Sequence, residues 1–110
     1  MEKIQWPFGD ADLQTPAYAA ALAVSIDNRK TVLAPAILTG NCTLNLTIAS
    51  GLRVGAELIL KVKATGSETL TPGTGMQGPA IAGTAGKTKV VPYQFDGTSF
   101  VAIAAAVQID

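Results

Sequence analysis

Residues 41–48, NCTLNLTI, alternate without a break: Cys42, Leu44, Leu46 and Ile48 share one parity, and Asn41, Thr43, Asn45 and Thr47 share the other. Side chains along a strand point to opposite faces in turn, so this pattern buries one face and wets the other, and it offers a helix no apolar stripe. The next apolar segment, AELILKVKA, repeats the scheme with Leu58, Leu60 and Val62 inward and Lys61 and Lys63 outward. Gly51 and Gly55 turn the chain between the two.

The segment TPAYAAALAVSID carries a competing helix signal, with Thr15 as N-cap, Pro16 in the first turn and a run of alanine. The strict alternation of Tyr18, Ala20, Leu22, Val24 and Ile26 opposes it and predicts a strand from about Ala21 that turns at Asp27-Asn28. A weaker repeat surrounds Leu70, and residues 73–86 form a long glycine-rich connection. KTKVVPYQF and SFVAIAAAVQI flank Asp96-Gly97, a strong hairpin dipeptide, while Pro92 inside the first of them demands a sheet edge or a bulge. The expected fold is therefore all-β: an antiparallel β-sandwich or jelly-roll-like domain over residues 17–110, preceded by an extended N-terminal arm over residues 1–16. A chain of 110 residues builds one modest core.

Lys+Arg and Asp+Glu balance at 8 each, and the basic positions are scattered along the chain, so neither nucleic acid nor a membrane surface is an expected partner. No apolar run approaches the roughly 18 residues of a membrane span. The start, MEKIQWPFGDADLQ, has acids and a proline where a secretory leader has basic and then apolar residues, which predicts synthesis in the cytoplasm. With one cysteine, Cys42, and no histidine, an internal disulfide, a thiol–imidazole pair and most zinc sites are excluded. Asp10, Asp12 and Asp27 lack the spacing of a calcium loop, and no serine sits in a nucleophile elbow. Neither catalysis nor a cofactor or metal is expected.

Two glycine motifs imitate nucleotide sites. In IAGTAGKTKVV the position five residues before Gly86 is Ile81 where a phosphate loop needs glycine, and Thr88 to Pro92 is β-branched and ends in proline where a helix should open. Gly73-Thr74-Gly75-Met76-Gln77-Gly78 satisfies G-x-G-x-x-G, but Pro79 stands where the following helix should run. Both are read as backbone turns. The sequons at Asn41 and Asn45 fall on the polar face of a strand and are read as that face.

Charged residues make up 15% of the chain, below the typical level of about 25%, so part of its surface is expected to lie against other chains. Val101, Ile103, Val107 and Ile109 are the expected contact between subunits. Trp6 and Phe8, two residues apart in the arm, are the expected anchors on a partner.

The order TLNLTI, GAELILKV, TLTPGTG and GKTKVVPYQFDGTSFVAI, strand and glycine turn followed by a closing aromatic-Asp-Gly-Thr hairpin, resembles the small β-sandwich proteins of tailed-phage virions. These are head-decoration (cement) proteins and the β-modules of head or tail fibres. The resemblance covers residues 22–109. It implies a virion structural protein made in the bacterial cytoplasm, a homotrimer that binds the major capsid protein on the outer head surface and stabilises the shell. A chain that starts at Met1 with a short arm favours decoration. A fibre or spike module touching host glycans and a small carbohydrate-binding module are the alternatives.

Overall fold

The computed structural model describes residues 12–110, which form eleven strands and no helix. In chain order they are β1 (Asp12–Gln14), β2 (Ala21–Ile26), β3 (Lys30–Leu33), β4 (Cys42–Ile48), β5 (Glu57–Lys63), β6 (Thr69–Pro72), β7 (Met76–Gln77), β8 (Ile81–Ala82), β9 (Thr88–Phe95), β10 (Phe100–Ala102) and β11 (Val107–Gln108). The all-β, two-sheet expectation holds. One sheet has seven strands in the order β1-β3-β5-β9-β10-β7, with β11 also on β9, and the other has four in the order β2-β4-β6-β8.

The direction of pairing departs from the antiparallel expectation. β1, β3 and β5 run parallel in the larger sheet, and β2, β4 and β6 run parallel in the smaller one. The chain crosses from one sheet to the other after each of these strands, so every second strand returns beside its predecessor in the same direction, as in the coils of a short β-solenoid. Alternation with period two is common to both pairings, and the connections decide between them. Antiparallel pairing begins where β9 closes onto β5 and where β8 closes onto β6.

Both sheets turn their apolar parity onto one core. Leu22, Val24 and Ile26 of β2 and Cys42, Leu44 and Leu46 of β4 face Leu58, Leu60 and Val62 of β5 and Val91, Tyr93 and Phe95 of β9. The helix alternative for the alanine-rich segment loses because every second residue of β2 is buried in this core. Leu58, Leu60 and Leu44 are 0% exposed, so truncating any of them to alanine costs about 2–5 kcal/mol.

Pro92 produces a bulge inside the sheet. Its carbonyl accepts from Ile103 N at 3.1 Å, so its ring nitrogen faces the same neighbour and has no proton to return. β10 ends there, and the partner register on β9 shifts before β11 pairs Val107 with Val90. The segment expected as one strand after Ser99 is split into two for this reason. At the hairpin, Asp96 accepts from the backbone of Thr98 and Ser99 at 2.8 Å each, and Gly97 takes φ +103°. Those two N–H groups hold the Asp96 carboxyl below its ordinary range.

Candidate functional site

The outer face of the seven-stranded sheet carries the feature that most resembles a site. Outward-facing residues line up across it in register: Leu13 beside Val32, Val32 beside Ile59, Ile59 beside Pro92, and Pro92 bonded to Ile103. Four strands, and Ile103 just beyond the end of β10, thus present one apolar row on the outer surface. Leu13 is 64% exposed and Ile103 60%, so the row is open among the described residues at both ends. On one side of it stands the row Lys30, Glu57, Gln94 and Val101, and on the other stand Lys61, Val90 and Val107.

The four expected contact residues all fall on this face or its edge. Val101 is half-buried beside Gln94, Ile103 ends the apolar row, Val107 pairs with Val90, and Ile109 follows with its N–H on Thr88 O at 3.1 Å. Trp6 and Phe8 lie outside the described residues. Of the stretch read as an arm, Asp12–Gln14 forms β1 on the edge of the sheet. Gln14 Nε2 donates to Ser25 O at 2.9 Å and so ties β1 to β2, the edge strand of the other sheet.

Two hollows adjoin the row. A shallow apolar groove of about 550 Å³ lies between Val54, Gln94, Phe95, Val101 and Ile103. Next to it a cleft of about 290 Å³ is lined by Arg29, Lys30 and Arg53 with Glu57. Basic positions that are scattered in sequence are therefore partly gathered by the fold: Arg29 and Arg53 stand before successive strands of the larger sheet and meet at one end of it. The cleft holds a single carboxylate and no histidine, and among the described residues no three His, Cys, Asp or Glu side chains converge as metal ligands.

The remaining chemical candidates are occupied by the fold. Gly86 takes φ +69° and its N–H donates to Ala64 O at 2.9 Å, Lys87 N closes a turn on Thr84 O, and β9 begins at Thr88, so the Gly-Lys-Thr stretch feeds a strand. In the second glycine motif, Gly73 N donates to Leu44 O at 2.7 Å and Gly75 takes φ +79° beside Leu46, which spends those glycines on close approach to β4. Asn41 Oδ1 and Asn45 Oδ1 accept from Thr69 N and Thr74 N at 3.0 and 2.9 Å, so both sequon asparagines stitch β4 to the next coil. Burial pushes the Cys42 thiol above its ordinary value, against a smaller opposing bond to the Leu22 backbone, and the protonated thiol is a poor nucleophile.

The apolar row is only partly legible in the sequence. Ile59 has the parity of Lys61 and Lys63, so alternation marks it as outward, and an outward isoleucine between Glu57 and Lys61 was the available signal. Val32 and Leu13 gave no comparable signal, because their alignment with Ile59 depends on parallel register. Comparison with known proteins adds no assignment: no family model, curated protein or solved structure matches the chain.

Proposed function

We propose that this protein is a non-catalytic structural component of a tailed-phage virion, a decoration protein that binds the outer head surface through protein–protein contacts. The observation that carries the reading is the apolar row on the outer face of the larger sheet, half-buried in its middle and exposed at Leu13 and Ile103, since an apolar belt framed by charges is the form of a contact surface. The virion setting rests on the resemblance of the strand and turn order to decoration and fibre proteins. A fibre module is the second reading, favoured by the parallel coils, because stacked coils are the way elongated fibres are extended.

The test is imaging of particles that carry the chain, particles that lack it, and particles that carry a chain without residues 1–11. The decoration reading expects surface density that vanishes with the chain and weakens sharply without residues 1–11, the part of the arm that bears Trp6 and Phe8, while the shortened chain keeps its β circular-dichroism spectrum. Particles with no density for the chain would refute it, and density confined to fibres would move the assignment to the second reading.

A further inference from the structure

We infer that the outer face of the seven-stranded sheet binds a second copy of this chain face to face, about a two-fold axis that runs along the apolar row. The inference concerns this face as a contact between copies and goes beyond where the protein works.

The charges choose the partner and the axis. Along β5 the outward residues are Glu57, Ile59 and Lys61, with Ile59 in the middle row. A two-fold along the row lays Ile59 on the partner's Ile59 and reverses the strand direction. Glu57 then faces the partner's Lys61, Lys61 faces the partner's Glu57, and Val101 faces the partner's Val107. Both charge pairs are opposite in sign and the row closes on itself. A two-fold along the strands would instead stack Glu57 on Glu57 and Lys61 on Lys61, which costs free energy on both counts. A ring of three copies needs two different patches to meet, whereas this face is complementary to itself.

Size sets the strength. Five strands at roughly 4.8 Å and three outward rows at roughly 6.7 Å outline about 500 Å² per copy, or about 1,000 Å² in all. That lies below the standard interface of roughly 1,600 Å² and in the class of weak, reversible contacts. Association is therefore expected at micromolar concentrations and above, so a single dilute measurement would miss it.

The experiment is sedimentation of the full chain across roughly 1 to 500 µM, which spans weak affinities. The mass should rise from 11.2 kDa toward twice that value. Glu57→Lys and Lys61→Glu should each weaken association about tenfold or more, the scale of 1.4 kcal/mol of lost pairing, and the double variant should restore it. Both side chains are exposed, and circular dichroism verifies that the variants fold. Independently, Ile59→Cys should crosslink copy to copy on oxidation, because only a two-fold axis through that residue brings it against itself; native Cys42 is 2% exposed. A monomer at all concentrations, a three-copy mass, or a double variant no better than the singles would overturn the inference. So would an Ile59→Cys thiol that becomes reactive only when residues 1–11 are removed, which would show the chain's own N-terminal segment on the face. A dimer that never appears on particles would support this inference while removing the decoration reading.

Discussion

Tyr93 is 1% exposed, and its hydroxyl has no hydrogen-bond partner among the described residues. Replacing it with phenylalanine removes the orphaned hydroxyl and keeps the ring against the core. A buried polar group without a partner costs about 1–3 kcal/mol, so Tyr93→Phe should stabilise the protein by that amount at neutral pH. For a domain of this size, each 1 kcal/mol moves the melting temperature by about 4–8 °C. Alkaline pH supplies a second reading of the same atom. Burial pushes the phenol from its ordinary 10.0 up to about 12, so the folded state resists ionisation that the unfolded state accepts. Tyrosine is neutral in both states below pH 10, and stability then falls as pH rises through the window to 12. At pH 11 the loss is about 1.4 kcal/mol, and above 12 it approaches about 2.7 kcal/mol. Urea unfolding of wild type and variant at pH 7 and pH 11 measures both terms, and the advantage of phenylalanine should widen between the two. A variant less stable than wild type by 1 kcal/mol or more at pH 7 would refute the reasoning, because the hydroxyl would then have a partner such as a buried water.

Thr31 offers a companion test, since its buried hydroxyl also has no partner among the described residues and it stands in the same inward row as Tyr93, with Leu58 between them. Thr31→Val should be neutral or stabilising, and its effect should add to that of Tyr93→Phe in urea unfolding; strong coupling would reveal one water shared by both. Gly83→Ala should lower stability by about 1–3 kcal/mol, because its Cβ would stand 2.5 Å from Glu68 O and 2.6 Å from Ala64 Cβ. Gly51→Ala, with open space around it, serves as the control. Lys87→Ala should leave stability within about 0.5 kcal/mol, and calorimetry with magnesium and ATP should show no saturable binding in either form.

What the sequence disclosed was local. Period-two alternation placed β2, β4 and β5 and named the inward residues of each, and Asp96-Gly97 placed the closing hairpin, because these signals live within a few residues of chain. Pro92 announced a bulge through the one proton it lacks. What stayed hidden was relational. Whether a strand lies beside its sequence neighbour or beside the strand after that depends on where each connection crosses, and Ala49 to Ala56 reads equally well as a hairpin loop or as a crossing between sheets. The short strands β7 and β8 were hidden for the same reason: Met76 and Ile81 are held by pairing with Phe100 and Leu70, distant in sequence, inside a segment whose composition reads as loop.

That hidden topology is also what separates the two outer faces. β2, β4, β6 and β8 contain no charged residue, and their outward positions are small or polar: Ala21, Ala23 and Ser25, then Thr43, Asn45 and Thr47, then Thr69 and Thr71. The amide oxygens of Asn41 and Asn45 are already committed to the next coil, so that face keeps mainly hydroxyls that water satisfies without strain. The larger sheet has the reverse chemistry, with half-buried Val32 and Ile59 aligned between exposed Leu13 and Ile103 and charges of both signs beside them. Covering one of these side chains recovers about 25 cal/mol for each Å² of apolar surface removed from water, and covering a threonine hydroxyl recovers nothing unless a partner replaces the water. Of the two faces, the outer face of the larger sheet gains more by being covered, which is why the proposed contact between copies is placed there.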